Sequence, residues 1–145
     1  MIERIARAEW KGSLKGGSGV VRAGALEGRY SFASRFQDAP GTTPEELVGA
    51  AHAGCFSMAL SLLLGEHGFT PQAIQTTATV SLDADELRIA RIELKTRGWI
   101  QGLDDADEFR RLAEMAKEVC PISRALAGTD IRLQEAELFA ASPAA

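Results

Sequence analysis

From Leu47 to Gly65 the chain carries no formal charge, and this run limits what everything around it can be. Its length approaches the roughly 20 apolar residues that cross a bilayer. Inside it, however, stand Gly49, His52, Gly54, Ser57 and Ser61, and acidic residues flank it on both sides, Glu45 and Glu46 before and Glu66 after. No basic flank orients it and no aromatic belt marks an interface. A soluble helix that is apolar all round is one buried on every side. The run therefore predicts a buried central helix that needs a partner to cover it, and no membrane.

The segment DAPGTTPEEL marks where this helix begins. Thr43 can cap it, Pro44 takes the first helical position, and Glu46 stands three residues beyond Thr43, the spacing of a capping box. The helix is expected to run to about His67 and to stop at Gly68. Before it, Ile2 to Lys11, Val20 to Leu26 and Arg29 to Phe36 read as strands. In the third, Tyr30, Phe32 and Phe36 alternate onto one face and Arg35 points to the other. The turn KGGSG is not a phosphate loop, since no Gly-Lys-Ser/Thr follows it and no helix begins there.

After the helix a hairpin is predicted, Ile74 to Asp83 and Leu87 to Trp99, turning through Ala84 and Asp85. A switch of face between Ile89 and Ala90 points to a bulge. A second helix spans Asp104 to Val119 with Phe109, Leu112, Ala113 and Ala116 as its apolar stripe. Pro121 opens a short third helix, and Ile131 to Leu138 closes the chain as a strand. The order βββ–α–ββ–α–α–β is an α+β fold. It reads as one domain over 1–140, with a disordered tail at 141–145.

Composition narrows the function. Hydrophobic residues at 46% and charged residues at 25% suit a soluble globular protein, and a net charge of −4 argues against nucleic acid and anionic membranes. The start, MIERIARAEW, is charged from its third residue and has no apolar signal core, so a cytoplasmic home is expected. In that compartment two cysteines are rarely a structural staple, and redox, catalytic or metal chemistry comes first to mind.

Cys55 shares a helical stripe with Val48, Ala51, Ala59 and Leu62, an apolar setting that by itself raises a thiol pKa and leaves it inert. A reactive role demands a cation to hold the thiolate. Cys120 lies about 20° from Phe109 on the helical wheel and so faces the same core. It directly precedes Pro121, where the amides of a new helix could favour a thiolate. Against this stands the fact that free cysteine is among the most buried residue types and often merely fills space.

His52, three residues before Cys55, could be a general base or a metal ligand. A metal site wants about four ligands, and the chain offers only His52, Cys55 and Cys120, with His67 about three turns beyond Cys55. A Cys–His hydrolase lacks an oxyanion motif here. The economical reading of His52 is a core or interface histidine satisfied by hydrogen bonds. Of the carboxylates, Glu46 points about 180° from Cys55 and Glu45 about 80°. Glu45 lies roughly 15 Å up the helix from Cys55, so only a bridging cation, a second subunit or a bend could link them. Arg35 is the natural cation, although a strand arginine is ordinarily just exposed.

TPEELVGAAHAGCFSMALS, together with EVCPISRAL and YSFASRF, resembles the OsmC/Ohr family of thiol peroxidases, the OsmC branch more than the Ohr branch. The resemblance spans nearly the whole chain. It implies antiparallel sheets wrapped around a long central helix, completed by an intertwined homodimer, and the reduction of organic hydroperoxides in oxidative or osmotic stress defence. Carried over residue by residue, Cys55 matches the peroxidatic thiol, Cys120 the resolving thiol, Arg35 the arginine that holds the thiolate, and Glu45 the carboxylate that orients it. No bound cofactor and no metal are implied, and electrons come from an external dithiol or lipoyl group. A non-catalytic module that binds apolar small molecules is the alternative from another class.

Overall fold

A computed structural model describes residues 1–142. The elements run β1 (Ala6–Lys11), β2 (Ser18–Ala23), β3 (Leu26–Tyr30), α1 (Phe32–Phe36), α2 (Pro44–Glu66), β4 (Thr70–Asp83), β5 (Arg88–Gln101), α3 (Ala106–Val119), α4 (Pro121–Ala125) and β6 (Asp130–Ala140). The predicted α+β class holds, and the expected order gains one helix, α1, before α2. The chain divides into two compact units, Met1–Leu47 and Val48–Ala145. Of the tail expected to be disordered, residues 143–145 lie outside the described residues; the Ser142 amide donates to Gln72 Oε1 at 2.8 Å.

In the first unit β1, β2 and β3 form an antiparallel meander. The predicted third strand ends at Tyr30, six residues early, because Ser31 turns the chain into α1. Its hydroxyl accepts from the Ser34 amide while the Ser34 hydroxyl accepts from the Ser31 amide, a reciprocal cap that starts a helix. Phe32 and Phe36, taken as alternating strand residues, are instead one helical turn apart with ring centroids at 4.9 Å.

The second unit holds a three-stranded sheet in the order β4–β5–β6. The hairpin β4–β5 is antiparallel, and its register jumps from Ser81↔Arg91 to Leu82↔Ile89. Ala90 is left over, which is the bulge expected at that position. The β5–β6 ladder is parallel rather than antiparallel. A parallel return requires a crossover, and α3 with α4 supply it. Asp105 caps α3 through bonds to the Asp107 and Glu108 amides, and Phe109, Leu112, Ala113 and Ala116 are fully buried as predicted.

Helix α2 differs from expectation in one respect. Thr43 Oγ1 accepts from the Glu46 amide at 3.0 Å, and Gly68, at φ 82°, lets the chain turn away after the last turn. Its length and hydropathy are those of a membrane span. Within the chain, however, it is not buried on every side. Gly49, His52, Phe56, Leu60, Leu63 and Leu64 face inward, whereas Met58 and Leu62 are 77% and 62% exposed. The expected stripe through Cys55 therefore lies along the border of the buried face, with Val48, Cys55 and Ala59 half-buried and Ala51 and Leu62 exposed.

Gly98 on β5 makes room for the Phe109 ring of α3. A Cβ there would lie 2.7 Å from two ring carbons of Phe109. Gly98→Ala is expected to cost about 1–3 kcal/mol, read as a lowered urea midpoint with the m-value unchanged.

Candidate active site

The structure gathers the four predicted site residues into two pairs, one in each unit. In the first unit, α1 carries Arg35 and the first turn of α2 carries Glu45. The short connection between them is tied down. Ser34 Oγ donates to the Thr42 carbonyl at 2.9 Å, and the Thr42 amide donates to the Arg29 carbonyl at 2.7 Å. This places Arg35 over Glu45 in a two-pronged ion pair, with Nε at 3.1 and 3.2 Å from the carboxylate oxygens and Nη2 at 2.5 Å. Glu45 is nearly buried and the Arg35 side chain is about one-third exposed. Two N–H groups on one carboxylate fix the guanidinium plane as a single bond would not. The Arg35 that was expected on a strand is thus a helical residue, and a carboxylate sets its direction.

Beside Arg35 is a cavity of about 230 Å³, walled by Trp10, Leu14, Tyr30, Phe32 and Phe36. Trp10 and Tyr30 stand 5.4 Å apart between centroids, and the Arg35 guanidinium lies 5.5 Å from the Phe36 ring. An apolar hollow with one fixed cation on its wall suits a ligand that has an apolar body and a polar end.

In the second unit Cys55 and Cys120 are both free thiols. Cys120 ends α3 and precedes α4. Its amide donates to the Ala116 carbonyl and its own carbonyl accepts from the Arg124 amide, both at 3.0 Å. Pro121 prevents the first helix from simply continuing, so the backbone breaks at Cys120 with ψ 124° and turns its side chain into the core, fully buried. Cys55, half-buried on α2, is its neighbour. Burial pushes the Cys55 thiol up and the Cys120 thiol beside it adds to this, while the Ile122 backbone amide pulls it down. Within this unit the neutral thiol of Cys55 is therefore favoured over its thiolate.

His52 lies on the fully buried face of α2, and its Nε2 is 2.7 Å from Ser123 Oγ on α4. The expectation of a hydrogen-bonded core histidine is met at this nitrogen. Its partner could not be foreseen, being 71 residues away. The pair has the spacing of a base and a nucleophile, but Ser123 is also buried, so an acyl substrate has no approach. His67 Nδ1 lies 2.8 Å from the Leu63 carbonyl at the end of α2. Among the described residues no three His, Cys, Asp or Glu side chains converge as a metal-binding set.

Burial pushes the His52 pKa below 6.5, so the unfolded chain takes up a proton that the folded chain refuses. The stability this site contributes is full above about pH 6.5 and declines as the pH falls toward the folded value. The gap in unfolding free energy between the natural chain and His52→Leu is therefore expected to narrow between pH 7.5 and pH 5.5. A gap equal at both pH values in urea titrations would mean that the ring is not held neutral.

A family model described as OsmC-like protein matches residues 36–134. The peroxiredoxin OsmC of Escherichia coli (strain K12) is 48% identical over 130 residues, covering 86% of this chain and 90% of that protein. An organic hydroperoxide resistance protein-like sequence of Staphylococcus aureus (strain USA300) is 29% identical over 92 residues, 63% of this chain and 66% of its own length. Among solved structures, an OsmC-like protein from Mycoplasma pneumoniae covers 97% of this chain and 99% of its own, with a TM-score of 0.69 and 15% identity. An organic hydroperoxide resistance protein OsmC from Legionella pneumophila covers 94% and 99%, with a TM-score of 0.67 and 23% identity. The two structures share the fold. With the family model over two-thirds of its length and nearly half its residues shared with a relative that it almost wholly covers, this chain belongs to the OsmC-like family.

Proposed function

We propose that the chain is a thiol-dependent peroxidase that reduces organic hydroperoxides to alcohols and serves oxidative or osmotic stress defence in the cytoplasm. One observation carries this reading. Two free cysteines, one partly exposed and one fully buried, stand side by side although about 65 residues separate them in sequence. A reachable thiol backed by a hidden one is what a nucleophile and its resolving partner require. The relatives named peroxiredoxin and organic hydroperoxide resistance protein support the same reading.

The Cys55 thiolate attacks the distal peroxide oxygen. The O–O bond breaks, the alkoxide takes a proton and leaves as an alcohol, and Cys55 becomes a sulfenic acid. Cys120 then attacks that sulfur, water leaves, and a Cys55–Cys120 disulfide forms. An external dithiol or lipoyl-type reductant restores both thiols by two exchange steps, with no bound cofactor. Burial opposes the thiolate, so the first step needs a positive group. Arg35 supplies it, from the same chain or from a second copy, with Glu45 fixing its plane. The cavity beside Arg35 takes the apolar part of the peroxide, where each buried CH₂ contributes about 0.8 kcal/mol. That favours an organic hydroperoxide over hydrogen peroxide.

A homodimer belongs to this proposal. The outward side of α2 shows Ala51, Gly54, Met58 and Leu62 to solvent, an apolar face whose small residues allow another helix to come close. Met58→Glu is expected to yield monomers in sedimentation at micromolar concentration. A distribution unchanged from a dimeric natural chain would remove the α2 face from the interface, and a natural chain that sediments as a monomer would remove the dimer.

The test of the activity is a thiol titration of reduced protein after one equivalent of tert-butyl hydroperoxide, with hydrogen peroxide alongside. Rapid loss of both thiols is expected, faster with the organic peroxide and absent in Cys55→Ser. Arg35→Ala should slow the oxidation by about 10- to 100-fold, the equivalent of one hydrogen bond to a charged group. Thiols that stay reduced would return the chain to the reading of a binding module for apolar molecules, with the aromatic cavity as its site.

A further inference from the structure

Helix α4 has only five residues, Pro121–Ala125, too few to hold a place by their own backbone bonds. It nevertheless carries the Ile122 amide that reaches Cys55, and it begins at Cys120. Among the described residues, the side-chain hydrogen bond that ties it to α2 is the one of 2.7 Å between His52 Nε2 and Ser123 Oγ. His52 is one turn before Cys55, and Ser123 is three residues after Cys120. One buried hydrogen bond therefore spans the same two elements as the two thiols. The ring accepts a cost for it, since Nδ1 is buried with no partner among the described residues. With Nε2–H donating to Ser123, what stays unpaired is a lone pair and not an N–H, the cheaper of the two arrangements.

We propose that His52 is a positioning residue, whose bond to Ser123 latches α4 onto α2 and keeps Cys120 and the Ile122 amide against Cys55 while both thiols are reduced. The inference deepens the peroxidase reading and rests on it for its purpose. The latch takes no part in the chemistry of closure, in which the Cys55 sulfenic acid and the Cys120 thiol become a disulfide and water. Its effect is on chain freedom. A latched α4 has little freedom left to lose when the disulfide forms, whereas a released α4 must be ordered at that moment. The effective concentration of one thiol at the other falls accordingly.

The potential of the Cys55–Cys120 couple reports this without any peroxide. The full chain is equilibrated in glutathione buffers and its thiols are counted. Ser123→Ala should make the disulfide about tenfold easier to reduce, a shift of about 30 mV, and Ser123→Thr, which keeps the hydroxyl, should stay within about twofold of the natural chain. Ser57→Ala removes a different α2 hydroxyl bond, the one of 2.8 Å to Thr76, and should leave the potential unchanged. If Ser123→Ala is too unstable to isolate, His52→Leu breaks the same bond from the other side and is read in its place. An unshifted potential in the latch variant, an equal shift in Ser57→Ala, or a natural chain that forms no disulfide would each overturn the latch. A shift confined to the latch variants in a chain whose thiols ignore hydroperoxides would keep the latch and discard the peroxidase reading.

Discussion

A helix without a polar face sets the terms for this protein, because its own chain does not cover all of it. Phe56, Leu60 and Leu64 on α2 are fully buried, and each side chain of that kind contributes about 1.5–3 kcal/mol when removed from water. That face anchors α2 against β4, where Gly49 meets Ala78 and Val80 and Ser57 bonds to Thr76. Met58 and Leu62 remain outside. The residues along the border between the two faces are neither sealed nor free, and Cys55 is one of them. A thiol there is open to a small reactant yet already stripped of much of its water.

That position has a chemical cost. Desolvation favours the neutral thiol, which reacts poorly. The break at Cys120-Pro121 turns two things toward Cys55, the second thiol and the Ile122 amide. Within the first unit, Glu45 fixes the orientation of the Arg35 guanidinium by bonds to Nε and Nη2. Because Arg35 stays partly exposed while Glu45 is nearly buried, the carboxylate is the group that depends on the pair to offset its burial. The arginine keeps contact with solvent and so with whatever enters the cavity.

Features governed by a few neighbouring residues were legible in advance. Thr43 and Glu46 announced the start of α2, Gly68 its end, the residues around Ala90 a bulge, and the spacing of Phe109, Leu112, Ala113 and Ala116 the inner face of α3. α1 was misread although its signals were local. Phe32 and Phe36 fit an alternating strand and one turn of helix equally well, and Ser31 with Ser34 was the cap that distinguished them. The parallel pairing of β6 was not legible, since it depends on where α3 and α4 deliver the chain and not on the residues of the strand.

By itself the sequence determined the elements other than α1, the two thiols, the family and the apolar character of α2, because capping, periodicity and motif spacing act within a few residues. Only the tertiary structure decided which side of α2 turns inward. A run apolar on every side has no contrast for periodicity to detect, so neighbouring elements choose the face. The same applies to His52 and Ser123, joined across 71 residues, and to Arg35, which acquires a direction only when α1 forms and Glu45 is brought beneath it. Such pairs exist once burial and loop closure have fixed both partners, and nothing in either partner's own neighbourhood foretells the other.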